Sequence, residues 1–181
     1  MPKNKEDNLI WVDLEMTGLE PETDTILEIA LVITDSDLNI LGEDKTYYIH
    51  HEQEKFEGMN DWCKDQHTKS GLWDKVVESK TTIEEAEGSI LEFLKPYTES
   101  RKNVLCGNSI HQDRRFINKY MKKLDEYLHY RMIDVSTIKE LAKRWYPEIK
   151  EEFSKKGSHR AYDDIIESIE ELKFQKKLYF K

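Results

Sequence analysis

A strand that is apolar on consecutive positions and then turns acidic restricts this chain more than any other feature: Leu9, Ile10, Trp11 and Val12 run into Asp13, and Glu15 follows two residues later. Uninterrupted apolar residues suit a central strand covered on both faces, which shows polar side chains only where it leaves the sheet. Side chains alternate along a strand, so Asp13 and Glu15 point the same way, roughly 7 Å apart, while Leu14 enters the opposite layer. Thr17-Gly18 then turns the chain. Ile26 to Thr34 is a second long apolar strand and Lys45 to His50 reads as a third, an antiparallel meander that leaves the first strand in the middle.

Helical patterns follow. Thr81 with Glu84 forms a helix-start capping box ahead of Ile83, Ala86, Ile90 and Leu94, and Pro96 lies near that helix's end. Asn103 to Cys106 is a short buried strand closed by Gly107-Asn108-Ser109. The next helix carries Phe116, Ile117, Tyr120, Met121, Leu124 and Leu128 on one face, with Asp113 on its core side at the first turn, where the helix dipole favours a negative charge. Tyr130 to Val135 is a further strand, and a helix runs from Ser136 to Trp145 before Pro147. The charged stretch Glu151 to Ser158 reads as a mobile loop with His159 at its exit, and Ile165, Ile166, Ile169 and Leu172 form the stripe of a last helix, with Asp164 beside its beginning. At 181 residues, without repeat or low-complexity segment, the expectation is one α/β domain over residues 1–181 with a single core.

Composition excludes several classes. With 28 Lys+Arg against 37 Asp+Glu the net charge is −9, unlike a passive nucleic-acid coat, which needs a basic surface to release counterions. No apolar run approaches membrane-spanning length, and MPKNKEDNL has no hydrophobic segment behind its lysines, so neither a membrane segment nor a secretory signal is expected. Cys63 and Cys106 sit in unrelated segments and read as reduced thiols of a cytoplasmic protein.

The acidic residues carry the chemistry. Each has an ordinary alternative: an Asp can cap a turn, start a helix or stand in solvent. Together they are harder to explain away, because buried carboxylates are costly unless a metal or hydrogen-bond partners stabilise them. Asp13 and Glu15 on a strand, Asp113 at a helix start and Asp164 on a last helix, with His159 beside them, are what two divalent cations and an activated water need. Asp163 competes with Asp164 for the fourth position; the spacing from His159 favours Asp164.

The segments DLEMTGLEPETDTILEIALVITD, MNDWCKDQHTKSGL, CGNSIHQDRRF, HYRMIDVST and HRAYDDIIESI resemble the oligoribonuclease family, DEDD exonucleases of the subgroup with a histidine in the third motif. The likeness runs from about Leu9 to Tyr179. A lone Asp-x-Glu would say little; three motifs in order with His-x4-Asp spacing say much more. One departure is local: His111 stands where relatives often have a small residue. The resemblance implies a ribonuclease H-like fold, a five-stranded mixed sheet with helices on both faces, in agreement with the element order above.

It further implies 3′ to 5′ hydrolysis of very short single-stranded RNA, down to dinucleotides, to nucleoside 5′-monophosphates. Asp13, Glu15, Asp113 and Asp164 would hold two Mg²⁺ or Mn²⁺ ions about 4 Å apart, since oxygen ligands select such hard cations. His159 would accept the proton of the attacking water. By the same likeness Leu19 and Trp62 contact the bases and His67 lies near substrate. Ser109, Arg131, Ser136 and Thr137 would bind the 5′ phosphate of a dinucleotide, and Tyr130, with Arg131, would reach into the partner's site of a homodimer. Phe174, Leu178, Tyr179 and Phe180 make the C-terminus apolar, which suits a dimer or packing on its own domain. A proofreading DNA exonuclease would share the acidic set; a non-catalytic binding module is disfavoured because no acidic position is replaced.

Overall fold

The computed structural model describes residues 4–43, 46–151, 153–154 and 160–180. Its centre is the expected pair: β1 (Leu9–Met16) runs antiparallel to β2 (Ile26–Thr34), with Asp13 opposite Ala30 and Glu15 opposite Glu28. Leu105–Gly107 (β5) lies parallel to β1 on its other side, and Met132–Asp134 (β6) continues the sheet beyond it. Outside β2, Ile40–Glu43 (β3) pairs with one half of that strand and Tyr47–Tyr48 (β4) with the other. The path β3-β2-β1-β5-β6 is the five-stranded mixed sheet anticipated, and the two-residue β4 makes a sixth strand.

Some boundaries move. The third strand expected over 45–50 reduces to Tyr47–Tyr48, and the strand expected from Asn103 begins at Leu105. Asn103 is buried and spends its side chain elsewhere, accepting from Glu99 N and donating to Lys5 O and Asn8 O. The capping box is one residue later than its sequence reading: Thr82 accepts from Glu85 N, and Glu85 in turn accepts from Thr82 N.

Helices cover both faces. Ile83–Leu94 (α4), His111–Tyr120 (α5) and Lys122–Tyr127 (α6) bury Ile90, Leu94, Phe116, Ile117 and Leu124 against Ile10, Val12, Leu14, Ile29, Leu31 and Ile33. The single helix expected through Leu128 is two, broken at Met121, whose φ of −130° and ψ of 66° leave the helical region. Glu87 stabilises the break by accepting from Lys123 N and Leu124 N, the free amides of the second helix.

The opposite face of β1 and β2 carries Trp11, Ala30 and Val32 under Val135–Trp145 (α7) and Ala161–Tyr179 (α8), through Val135, Ala161, Ile165, Ile169 and Leu172. Trp11 is fully buried, and its indole N–H donates to Thr34 Oγ1 at 3.0 Å, so the ring adds apolar area without an unmet donor. Gln53–Glu57 (α1), Asp61–Lys69 (α2) and Leu72–Glu78 (α3) close one end around Leu27, Met59, Cys63, Leu72, Trp73 and Val76. No helix among the described residues is long and apolar enough to cross a membrane.

Candidate active site

Alternation along β1 places Asp13 and Glu15 on the α8 face, just past Trp11, where the helix start replaces apolar cover. Asp164 enters from the first turn of α8, and carboxylate oxygens of Asp13, Glu15 and Asp164 lie within 4.8 Å of one another. Asp163, one residue earlier, is exposed and outside this group, which separates two positions that sequence left competing.

Asp113 reaches the same strand end from the opposite face. It is buried in the first turn of α5, and its Oδ1 accepts the backbone N–H of Leu14 at 2.9 Å. That bond ties the helix to the residue between Asp13 and Glu15. Asp113 is not one of the three oxygens that meet within 4.8 Å. It stands close enough to be, after burial, the largest charge acting on Asp13.

The electrostatics are those of buried acids crowded together. Burial first, then the neighbouring carboxylates Asp113, Glu15 and Asp164, hold the proton affinity of Asp13 well above the ordinary carboxylate range. Burial and then Glu28 push Glu15 to about 8, and burial pushes Asp113 to about 7 against the backbone hydrogen bonds that oppose it. An all-oxygen set of clustered, mutually repelling carboxylates is the donor chemistry of a hard divalent cation. The site thus fits divalent metal binding on its own terms.

Around the cluster, β1 runs into a turn braced by Asp24, which accepts from Thr17 Oγ1 at 3.0 Å and Glu20 N at 2.9 Å. The Asp24 carboxylate occupies the place a Cβ on Gly18 would take, 2.4 Å from its nearest oxygen, so only glycine lets the turn close. The turn presents Leu19 with 60% of its surface exposed, its carbonyl held by Arg115 from α5. Trp62 is 64% exposed on α2, whose start is capped by Asn60. His67 differs from an ordinary polar helix residue. It is buried, 3% exposed, and its Nε2 donates to Met16 O at 2.9 Å, so it seats α2 on the end of β1.

A second group gathers beside α5 and α7. Ser109, in the left-handed region at φ 51°, turns its N–H toward Asp134 Oδ1 (2.9 Å) and Ser136 Oγ (3.1 Å). Asp134 also caps α7 by accepting from Ser136 N, and Ser136 Oγ donates to Asn108 Oδ1 at 2.9 Å. Ser109, Ser136 and Thr137 line one cleft of about 310 Å³ with His111, Asp134 and Arg144. Arg131 is not in that wall; its guanidinium lies 5.4 Å from the ring of Tyr130, which stacks on His129 and is 73% exposed. His159 lies outside the described residues, as does Lys155–Ser158, while Arg160, the next residue, starts α8.

Sequence reading missed Glu28, Arg160, Asn108 and Asp134. For Glu28 the signal was available: an acid in the middle of ILEIALVIT, otherwise wholly apolar until its last residue.

A mixed sheet with acids at the end of its central strand defines a class, the metal-dependent exonucleases of this fold. The family model described as exonuclease matches residues 10–172. An oligoribonuclease of Vibrio cholerae serotype O1 is 53% identical over 176 residues, covering 97% of this chain and 97% of that protein. One from Pseudoalteromonas translucida is 54% identical over 173 residues, covering 96% of each. The chain belongs to the oligoribonucleases of the exonuclease family. Among solved structures, the zinc-bound E. coli exonuclease I–single-stranded DNA complex superposes with a TM-score of 0.74 at 14% identity, covering 96% of this chain. This chain spans 41% of that enzyme's chain, and the likeness concerns the fold.

Proposed function

We propose that the chain removes nucleotides from the 3′ end of very short single-stranded RNA, down to dinucleotides, releasing nucleoside 5′-monophosphates. The observation that carries this reading is the meeting of Asp13, Glu15 and Asp164 oxygens within 4.8 Å, with Asp113 held beside them on Leu14. Two Mg²⁺ or Mn²⁺ ions bound there would make a water more acidic and neutralise charge on the phosphodiester and the departing 3′ oxygen. The four carboxylates hold the cations. Asp13 and Glu15 would bind from one sheet face, Asp164 from α8, and Asp113 would add a ligand while its Oδ1 fixes the strand end.

His159 acts as general base, its imidazole taking the proton of the attacking water. Leu19 and Trp62 grip the bases from two supports anchored to the end of β1, and His67 serves that subsite through the helix it seats. Ser109, Ser136 and Thr137 receive the 5′ phosphate, with Arg131 and Tyr130 completing a site across a homodimer. On this reading the whole chain, residues 1–181, works as one cytoplasmic exonuclease domain.

An end-labelled RNA ladder, with a matched single-stranded DNA ladder beside it, tests direction, length limit, sugar preference and metal together. Shortening of RNA from the 3′ end to mononucleotides in Mg²⁺ or Mn²⁺, abolished by EDTA, is expected. Cleavage undiminished by the chelator, or faster on DNA than on RNA dinucleotides, overturns it.

A further inference from the structure

Glu28 is an acid where its strand has no use for one. It is 1% exposed, opposite Glu15 on one side and Tyr48 on the other. Its Oε1 lies 3.6 Å from an Arg160 guanidinium nitrogen, while Oε2 has no hydrogen-bond partner among the described residues. That guanidinium also donates to Tyr48 Oη (2.5 Å) and Ser70 O (3.4 Å), and lies 5.7 Å from the Tyr48 ring centroid. Arg160 is the residue from which α8 starts, and its carbonyl accepts Asp164 N at 3.0 Å.

One side chain therefore joins β2, β4, the end of α2 and the turn of α8 that bears Asp164. A buried ion pair gains little over an apolar pair of the same volume, because desolvation offsets its Coulomb attraction. Planar, forked and fully charged, arginine can instead hold several separate groups at once. We propose that the Glu28–Arg160 pair is a positioning device for the reaction: it sets the start of α8, and with it Asp164, over Asp13 and Glu15. This rests on the exonuclease reading above, though its metal-binding consequence does not need substrate.

The test separates position from charge by sign. Deleting a cation beside a metal site tightens metal binding if only charge matters; it loosens binding if Asp164 loses its place. Calorimetric titration of the purified protein with Mn²⁺ alone should show about tenfold weaker binding in Arg160→Met, partly recovered in Arg160→Lys, as for residues that orient metal ligands. On an RNA dinucleotide, kcat should fall about tenfold with KM nearly unchanged, and Glu28→Gln combined with Arg160→Met should be no worse than Arg160→Met alone. Should Arg160→Met fail to fold by circular dichroism, Tyr48→Phe, which removes an acceptor and no charge, should still weaken Mn²⁺ binding about threefold. Mn²⁺ binding unchanged or tighter in the folded variants overturns the proposal. Wild-type protein that binds Mn²⁺ but leaves RNA dinucleotides intact overturns the reaction instead, and the Mn²⁺ titrations still decide the pair.

Discussion

The acidic cluster and the hydroxyl cleft sit at the ends of neighbouring strands, yet they are built on opposite rules. In the cleft the polar groups are linked into a chain of hydrogen bonds: Ser109 N serves Asp134 and Ser136, Ser136 serves Asn108, and Asn108 is held by Ser168 and Glu171. In the cluster the carboxylates face one another, and burial with mutual repulsion raises their proton affinity. A hydrogen-bonded network is ordered before any ligand arrives, which would suit the proposed 5′-phosphate subsite. A repelling cluster is incomplete by itself, and the free energy it stores is released when positive charge enters. Within one sheet, the difference separates a hydrogen-bonded surface from one whose charges repel.

The comparison breaks most visibly at Asp113. Asp113→Asn keeps an acceptor for Leu14 N–H and removes the charge. We expect RNA cleavage to fall by at least about 10³-fold while the metal-free thermal midpoint holds or rises. Mg²⁺-dependent cleavage of a dinucleotide near the wild-type rate would remove Asp113 from the site. His159→Ala should cost about 10²- to 10⁴-fold in turnover with Mn²⁺ affinity intact, and an unchanged rate would end its role as base. In the hydrogen-bonded cleft effects should be smaller and confined to binding. Ser136→Ala should raise KM about threefold to tenfold for a 5′-phosphorylated dinucleotide, with kcat steady. An equal rise for the dinucleotide lacking that phosphate would show that the cleft does not read it.

How much of this was legible in sequence follows from range. β2 was readable to the residue because eight of its nine positions are apolar or β-branched, interrupted only by Glu28. The acids of β1 were readable because alternation is local, and Asp113 because its spacing from Ile117 puts both on one side of α5. The break at Met121 was not, since the apolar stripe continues through it and only the distant Glu87 supplies the amides' acceptors. β5 was misjudged by two residues because Asn103 is held by Lys5 and Asn8, far away in the chain. The Glu28–Arg160 pair was invisible for the same reason: its partners are 132 positions apart in number and meet only in the folded chain.

The smallest effect bears on the stored repulsion itself. Without cations, Glu15 in the folded protein holds its proton to about pH 8 and Asp113 to about pH 7, whereas the unfolded chain releases them near the ordinary values of 4.5 and 3.8. Between those limits the folded state binds more protons, so stability contributed by these groups is complete below about pH 4 and is lost as pH rises through 7 to 8. A divalent cation replaces the protons, so its stabilisation should grow over the same window. The rise in thermal midpoint on adding Mg²⁺ should be a few °C larger at about pH 8.5 than at about pH 6, given roughly 2 to 4 °C per kcal/mol for a chain of this size. Glu15→Gln should flatten that dependence, because its amide neither titrates nor repels. A Mg²⁺ shift equal at both pH values in the wild type would mean that the acids are not waiting for charge, and the contrast between cluster and cleft would lose its physical basis.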